Sequence, residues 1–255
     1  MSSLDDRLDA LAAQFAPLPG VLVAFSGGVD SGVVLAAAVR ALGAGRVVAA
    51  TAVSPSLPVA ERAAAAEFGT SLGVRHEFPR TDELSREGYV ANAGDRCAFC
   101  KSELVDVLTP LAARLGIADV VTGTNADDLA AGFRPGIAAA AARGAWAPLA
   151  RAGLTKDDVR AAARRWELPL ADKPAAACLA SRHGVGVGAK FGDEVRAEHR
   201  EHPGVPGQRG EPRRLGGQIQ ERERHQQCEH VGPVPAHQEQ SRTPRRSRPA
   251  VLSVS

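Results

Sequence analysis

A loop rich in glycine and serine, SGGVDS at residues 26–31, carries the residue types that bind a polyphosphate. Adjacent glycines let backbone N–H groups approach a phosphate closely, and a helix that begins at such a loop adds a favourable dipole. The serine hydroxyls can donate hydrogen bonds, and the aspartate can hold a Mg²⁺ ion that bridges phosphates. A Walker A loop would need a lysine before its last hydroxyl residue, and none is present, so γ-phosphoryl transfer is disfavoured. The expected contacts are Ser26, Gly27, Gly28, Asp30 and Ser31; the structural alternative is a capped tight turn.

Three cysteines form a second group with the potential for chemistry. Cys97 and Cys100 make a CxxC pair, and Cys178 follows much later in the chain. Three thiolates can ligate three irons of a [4Fe-4S] cluster and leave the fourth iron open. Zinc is an alternative because His183 lies close to Cys178 in sequence. The CxxC pair could instead be redox-active, or its thiols could be buried and inert, and Cys228 is assigned no role.

Polar and charged residues in other motifs complete the candidate site. The oxygens of GTNADDL (123–129) could support Mg²⁺ or position a nucleotide, unless they only cap the next helix. Arg134 could contact an anionic substrate group, and Lys173 and Arg182 flank Cys178. Positive charge there would attract phosphate, although solvated surface charges would give the same sequence. The candidates are Asn125, Asp127, Asp128, Arg134, Lys173 and Arg182.

Alternating strands and helices must position these groups. Buried strands are predicted at 21–25, 46–52, 74–79 and 118–123. Helices are predicted at 4–16, from the loop to about Leu42, and at 58–72, 98–115 and 155–166, the last with Thr155 as its N-cap. The alternation predicts an α/β fold with a doubly wound, mainly parallel sheet. Ligands of such sheets bind beyond the carboxyl ends of the strands, where the motifs fall.

The bulk composition disfavours several classes of protein. A net charge of +2 over 255 residues gives no overall field that would attract nucleic acid or an anionic membrane. No apolar run approaches the roughly 20 residues that span a bilayer. The first residues, MSSLDDRLDALAAQ, are acidic and amphipathic, unlike a signal peptide, so a cytoplasmic location is expected.

The composition changes abruptly after about Phe191. Residues 192–255 are rich in Arg, Gln, Pro, Gly, Glu and His, and they contain no aromatic residue and no lysine. Such a segment cannot bury enough apolar area to offset its chain entropy, so 189–255 is predicted to be a disordered tail after a domain at 1–188. A basic tail could bind RNA, but glutamate is interspersed with arginine, which disfavours nucleic-acid binding. Because the composition changes within a few residues, a frameshift is the favoured interpretation.

The loop SGGVDS resembles the PP-loop signature of ATP-pyrophosphatases, which cleave ATP between its α- and β-phosphates and transfer AMP. Five further motifs follow it within roughly residues 4–188: RCAFCK, GTNADDL, FRPGI, APLARAGLTKDDVR and DKPAAACLASR. Together they resemble the LarE family of ATP-dependent sulfur transferases, sometimes labelled ExsB-like or asparagine synthase-related. The resemblance implies an adenine nucleotide alpha hydrolase-like fold and a pyridinium carboxylate mononucleotide as substrate. In the family this substrate is adenylated and converted to a thiocarboxylate, which matures into the nickel-pincer nucleotide.

The resemblance also implies where ATP would bind. ATP and Mg²⁺ would lie at residues 26–31, with Asp30 and Ser31 acting in catalysis. Backbone groups of Thr51, Ala52 and Val53 would hold the adenine, and a simple strand end with a turn is the alternative for that segment.

The sulfur source follows from the cysteine count in this family. Members with a single cysteine in the CLASR-like segment donate that cysteine's own sulfur, whereas members with three cysteines resemble cluster-dependent desulfurases. Cys97, Cys100 and Cys178 match the second type. The resemblance therefore implies a [4Fe-4S] cluster, with Cys178 at the catalytic centre.

One departure from the family bears on activity. LarE relatives continue beyond the CLASR-like segment into a small C-terminal α/β domain with phosphate-binding arginines and assembly surfaces, which residues 189–255 do not resemble. A homo-oligomer is therefore expected only with that domain restored, and an inactive nucleotide-binding remnant is one alternative. A tRNA-thiolating PP-loop enzyme is another, although it would carry a basic RNA-binding surface. Amide-forming relatives such as NAD and GMP synthetases share the loop but need no set of three cysteines.

Overall fold

The structure, a computed structural model of the chain, describes residues 2–54, 57–91, 95–132 and 134–174. These residues belong to the first of two units into which the chain divides, Met1–Gly207. Cys178, Arg182 and the predicted tail at 189–255 lie outside the described residues, as do His183 and Cys228.

Parallel strands form the sheet of the described residues. Their bounds are Val21–Ala24 for β1, Val47–Ala50 for β2, Arg75–Glu77 for β3 and Asp119–Val121 for β4. The strand order is β3-β2-β1-β4, so the chain crosses to the far side of β1 between β3 and β4. Val21 of β1 pairs with Val47 on one side and with Asp119 on the other. The strand order therefore reverses between β1 and β4, which is where ligands bind in such sheets.

The helices follow the strands in alternation. Their bounds are Leu4–Phe15 (α1), Val29–Leu42 (α2), Val59–Ser71 (α3), Glu87–Val90 (α4), Arg96–Arg114 (α5), Ala126–Ala130 (α6), Pro135–Ala141 (α7), Pro148–Arg151 (α8) and Lys156–Arg165 (α9). Short 3-10 helices lie at Ala44–Arg46 and Glu83–Ser85. Among the described residues, no helix combines the length and the apolar composition that a bilayer-spanning segment requires.

The five long helices match their predicted positions, with one difference that bears on the cysteines. α5 begins at Arg96 and not at the predicted Ala98, so Cys97 and Cys100 lie in its first turns. The short helices α4, α6, α7 and α8 were not predicted, because segments of four to seven residues are too short to show a helical period.

Helices cover both faces of the sheet. Because side chains alternate between the faces along a strand, Val21 and Val23 pack in the layer that contains α1, α2 and α9. Leu22 and Val48 pack in the opposite layer, against α5 and α7. Both faces are apolar because both are covered. The predicted α/β class with a doubly wound parallel sheet is thereby confirmed.

The helix α2 is buried on nearly every side. Val33, Val34 and Leu35 are inaccessible to solvent, because α2 lies between the sheet and the helices α1 and α9. A helix that is apolar all round is stable only in such a position. Since α2 begins at Val29, its burial fixes the start of the helix and with it the loop at 26–31.

The segment after β4 lies directly on the start of α2. A Cβ atom added to Gly123 would lie 2.6 Å from the backbone nitrogen of Ser31 and 2.9 Å from its Cα. These are backbone atoms of a buried helix, so they cannot turn aside as the end of a flexible side chain could. Glycine at position 123 is therefore required for the loops after β1 and β4 to meet.

We expect Gly123→Ala to lower the free energy of unfolding by roughly 1–3 kcal/mol, because the added methyl group overpacks this contact. Gly45→Ala is the matched control, since a Cβ there would meet no atom within 4 Å. Urea unfolding measures the effect. Equal stabilities for the two variants would contradict the close approach.

Candidate functional site

A cleft of about 790 Å³ lies at the carboxyl ends of the strands. Its walls come from the loop after β1, the end of β2, the start of α5 and the start of α7. The residues predicted from sequence that line it are Ser26, Asp30, Ser31, Thr51, Cys97, Cys100, Asp128 and Arg134. The predicted residues Gly27, Gly28, Asn125, Asp127 and Lys173 are not among its lining residues.

The phosphate loop (residues 26–31) is closed by a serine side chain. The Ser31 hydroxyl donates to the Gly28 carbonyl at 3.1 Å and accepts from the Ser26 N–H at 3.2 Å. Gly27 has φ 78°, a left-handed conformation that favours glycine. Gly28 is the N-cap of α2 and has no side chain with which to cap it. The N–H groups of the first turn have no side-chain cap and are therefore available to an anion.

The Asp30 carboxylate is held from two directions. Asn125 donates from Nδ2 to Asp30 Oδ1 at 3.0 Å, and the Lys156 ammonium forms an ion pair with Oδ2. Asn125 is buried and also caps α6, because its Oδ1 accepts from the Asp128 N–H at 3.0 Å. The Asp30 carboxylate, which lines the cleft beside the phosphate loop, is therefore held in a fixed position.

Lys156 was not singled out from the sequence, although it lies in the motif APLARAGLTKDDVR. It is the first residue of α9, where Thr155 and Asp158 form a capping box. Its backbone N–H donates to the Asp127 carboxylate at 2.7 Å. Asp127 therefore fixes the start of α9, and α9 in turn places the Lys156 ammonium on Asp30.

Lys173 braces the phosphate loop from behind. Its Nζ donates to the Gly27 carbonyl at 2.9 Å and to Glu61 Oε2 of α3 at 2.6 Å. Sequence reasoning selected Lys173 for its charge but missed Glu61, because only the folded chain brings α3 beside residue 173. The ammonium ties α3, the loop and the end of the described chain together.

Thr51, at the end of β2, is nearly inaccessible to solvent, and its side-chain oxygen is engaged in two hydrogen bonds. Its Oγ1 donates to the Phe25 carbonyl at 2.6 Å and lies 2.9 Å from His76 Nε2. The N–H groups of Thr51 and Val53 donate to carbonyls of the neighbouring segment at 3.0 and 2.8 Å. Ala52, which lies between them and lines the cleft, points its backbone groups the other way.

His76 is held in its neutral form. Because the Thr51 hydroxyl proton is directed at Phe25, His76 carries its own proton on Nε2 and donates to Thr51. Nδ1 is then a bare acceptor, and it is buried without a hydrogen-bond partner. Burial lowers the pKa of His76 to about 4, although the nearby charge of Glu77 opposes that shift.

The thiols lie in the half of the cleft that the starts of α5 and α7 form. Cys97 is exposed and Cys100 is partly buried, and both line the same cleft as Ser26 and Asp30. A Cβ atom on Gly136 would lie 2.8 Å from the Cys97 carbonyl oxygen, so α7 packs closely on the turn that carries them. Among the described residues, no group of three or more His, Cys, Asp and Glu side chains is arranged to hold a metal ion.

Two cations face the same half of the cleft. Lys101 follows the CxxC pair on α5, and Arg134 precedes α7. Neither forms an ion pair with another described residue. The cleft therefore offers backbone amides and a carboxylate at one end, and thiols with free positive charge at the other.

Solved structures with a similar fold define the class of the chain. It is similar to an NMN synthetase from Francisella tularensis, with a TM-score of 0.55 and 18% identity over 80% of this chain and 95% of that one. It is also similar to the NH3-dependent NAD synthetase from Campylobacter jejuni in complex with nitrate, with a TM-score of 0.53 and 15% identity over 78% and 95%. The chain has the adenine nucleotide alpha hydrolase fold of these structures.

Two relatives in sequence narrow this class to one family. No protein-family model matches the chain. It is 43% identical over 195 residues to the uncharacterized protein slr1717 of Synechocystis sp., covering 76% of this chain and 70% of that protein. It is 33% identical over 187 residues to the pyridinium-3,5-bisthiocarboxylic acid mononucleotide synthase of Lactiplantibacillus plantarum, covering 73% and 67%. The chain belongs to the family of this synthase, the LarE family.

The neutral state of His76 predicts a loss of stability in mild acid. The unfolded chain, with an ordinary histidine pKa of 6.5, binds the proton before the folded chain does. The free energy of unfolding should therefore fall as the pH drops from 6.5 towards about 4, and be fully present above that window. Urea unfolding between about pH 7 and pH 5 tests this above the range in which carboxylates titrate. His76→Gln, which donates without titrating, should flatten the dependence; an unchanged slope would contradict the assignment.

Proposed function

We propose that the chain is an ATP-dependent sulfur transferase that adenylates a carboxylate of a pyridinium mononucleotide and replaces one of its oxygens with sulfur. The observation that carries the proposal is that a phosphate-binding loop and a CxxC pair line one cleft. The 33% identical relative supports it, since its name describes a pyridinium thiocarboxylate nucleotide as product.

The phosphate loop half would hold ATP. The amides at the start of α2 would face the pyrophosphate, with the Ser26 hydroxyl as a further donor and Ser31 closing the loop through its bond to Gly28. The adenine lies at the end of β2, where the backbone of Ala52 is turned towards the cleft. Asp30 supplies the hard oxygen ligands that Mg²⁺ prefers, and a bound Mg²⁺ would screen the phosphate charges. Lys156, paired with Asp30, adds positive charge at the same point.

The acceptor half would hold the nucleotide carboxylate and phosphate. Lys101 and Arg134 line it and have no ion-pair partner among the described residues. Guanidinium and ammonium groups of this kind bind carboxylate and phosphate oxygens strongly when partly shielded from water. Arg182, outside the described residues, would add to this charge beside Cys178.

The chemistry needs positioning more than acid–base catalysis. A carboxylate oxygen attacks the α-phosphorus, the bond to the β-phosphate oxygen breaks, and pyrophosphate leaves with the electron pair. A sulfide then attacks the acyl carbon, and AMP leaves with the electrons of the broken carbon–oxygen bond. Both nucleophiles are already anionic, so orientation and stabilisation of the developing charge supply most of the rate.

The sulfide donor would sit beside the thiols. Cys97, Cys100 and Cys178 would hold a [4Fe-4S] cluster, which supplies a bound sulfide when present. The donor set fits in part on the structure, because Cys97 and Cys100 lie on one helical turn that faces the cleft. Cys178 acts as the catalytic cysteine in this proposal.

The domain division belongs to the same proposal. The matches to the two relatives extend over 195 and 187 residues, close to the length of the predicted domain at 1–188. Residues 189–255 would then stand where relatives have a further domain, as a frameshift within the coding sequence would produce. Use of ATP favours a cytoplasmic location, and a homo-oligomer would need the small C-terminal domain that the family resemblance implies.

Asp30→Asn should reduce substrate-dependent pyrophosphate release by roughly 100-fold, because it removes charge that the metal-bound phosphates need. Asp157→Asn is the matched control, since Asp157 is an exposed residue in the first turn of α9. Pyrophosphate is measured with ATP, Mg²⁺ and a pyridinium dicarboxylate mononucleotide. Wild-type protein that releases none would identify an inactive remnant, and equal loss in both variants would contradict the role of Asp30.

Cys97→Ala should abolish thiocarboxylate formation while pyrophosphate release continues, because the cysteine serves only the second step. Anaerobically purified wild-type protein should absorb visible light as an iron–sulfur protein does, and Cys97→Ala should lose that absorbance. Cys228→Ala is the control, since it carries no assigned role. A colourless wild-type protein that still transfers sulfur would overturn the cluster part alone.

A further inference from the structure

Glu83 is a carboxylate buried in the wall of the cleft. It lies in the short 3-10 helix Glu83–Ser85, between β3 and α4, and only 4% of its surface is exposed. The same residue lines the cleft that carries the phosphate loop and the thiols. Its neighbour Asp82 is exposed and does not line the cleft.

Glu83 differs from Asp30 and Asp128, which also line this cleft, in having no donor among the described residues. Asp30 is paired with Lys156 and Asn125, and Asp128 accepts from the Asn125 N–H at 3.2 Å. No described residue donates a hydrogen bond to the Glu83 carboxylate or forms an ion pair with it. The residue is only 4% exposed, yet its oxygens are not among the side-chain atoms that are fully shut off from solvent, so water or a ligand in the cleft can reach them. A carboxylate in such a position is expected to serve a ligand.

The cation nearest to Glu83 in sequence is bonded to other carboxylates. Arg86, three residues later, is the nearest cation in sequence, but it bonds to Glu103 at 2.8 Å and to Asp106 at 2.8 Å on α5. Glu103 also accepts from the Asp82 N–H at 3.1 Å, which fixes the 3-10 helix against α5. Other groups therefore hold the 3-10 helix against α5. Glu83 lines the cleft and its side chain takes no part in those contacts.

Among the described residues, the acceptor half thus presents one carboxylate and two cations that have no charged partner. Lys101 and Arg134 suit the anionic groups of a nucleotide, and Glu83 suits a positively charged or hydrogen-bond-donating group of the same molecule. We propose that Glu83 recognises the positive charge of the pyridinium ring in the acceptor nucleotide; this rests on the proposed function. Glu83 then selects the cationic aromatic ring over neutral carboxylates of similar size, because only the cation compensates the buried charge.

The test uses the full chain, a non-hydrolysable ATP analogue with Mg²⁺, and nicotinic acid mononucleotide, which has a pyridinium ring, as the acceptor probe. Calorimetry measures first the ATP analogue and then the probe, in wild type, Glu83→Gln and the matched control Asp82→Asn. The reduced form of the probe, whose dihydropyridine ring is neutral, is the second probe. Glu83→Asp, which keeps the charge, is a second variant.

We expect Glu83→Gln to weaken binding of the pyridinium probe about tenfold or more, as loss of a charged contact does. The ATP analogue should bind equally to all variants, Asp82→Asn should behave as wild type, and Glu83→Asp should lie between wild type and Glu83→Gln. The neutral probe should bind weakly to wild type and Glu83→Gln alike. Thermal unfolding of Glu83→Gln should be unchanged or later, because the variant removes an unpaired buried charge.

Several results would overturn the inference. The inference is wrong if Glu83→Gln binds the pyridinium probe as tightly as wild type does. If Glu83→Gln loses as much affinity for the neutral probe as for the pyridinium probe, Glu83 recognises a hydroxyl group and not the ring charge. Weaker binding of the ATP analogue to Glu83→Gln assigns Glu83 to the ATP half. Failure of wild-type protein to bind the ATP analogue is the separate result that overturns the proposed function, and the inference with it.

Discussion

The Asp30 carboxylate joins three elements that are far apart in the chain. Asp30 is a residue of α2. Its carboxylate accepts a hydrogen bond from Asn125, which precedes α6, and forms an ion pair with Lys156 at the start of α9. A partly buried carboxylate loses water, and only donors at fixed positions replace that hydration. These contacts therefore fix the loop after β1, the loop after β4 and the start of α9 relative to one another. Without it, the amides of the phosphate loop would not converge on one point.

The two halves of the cleft are held by different forces. Around the phosphate loop, apolar burial of α2 and the close approach of Gly123 leave little freedom, and Lys173 braces the loop from behind. In the acceptor half, short elements are tied to α5 by charge, with Arg86 and Arg143 both bonded to Asp106. Partly exposed ion pairs contribute less than core burial. The loop at 26–31 is therefore held more firmly than the elements tied to α5.

Sequence patterns predicted the helices and strands that are long enough to show a periodicity. The strands are apolar because both faces are covered, and the helices from α1 to α9 that exceed two turns show their period. The phosphate loop could be predicted because its function depends on consecutive residues. Lys156 and Glu61 could not, since their partners Asp30 and Lys173 lie 126 and 112 residues away in the chain.

By itself the sequence determined the class of chemistry: a glycine turn after an apolar strand presents amides, and a CxxC pair on a helix presents thiols, whatever surrounds them. The tertiary structure decided which charged groups are neutralised and which are left for a ligand. Asp30 and Glu83 are both carboxylates near predicted loops, yet Asp30 is paired, whereas Glu83 is buried with no partner among the described residues. The physical reason is that pairing and burial depend on which distant segments pack together, and no local pattern encodes that contact.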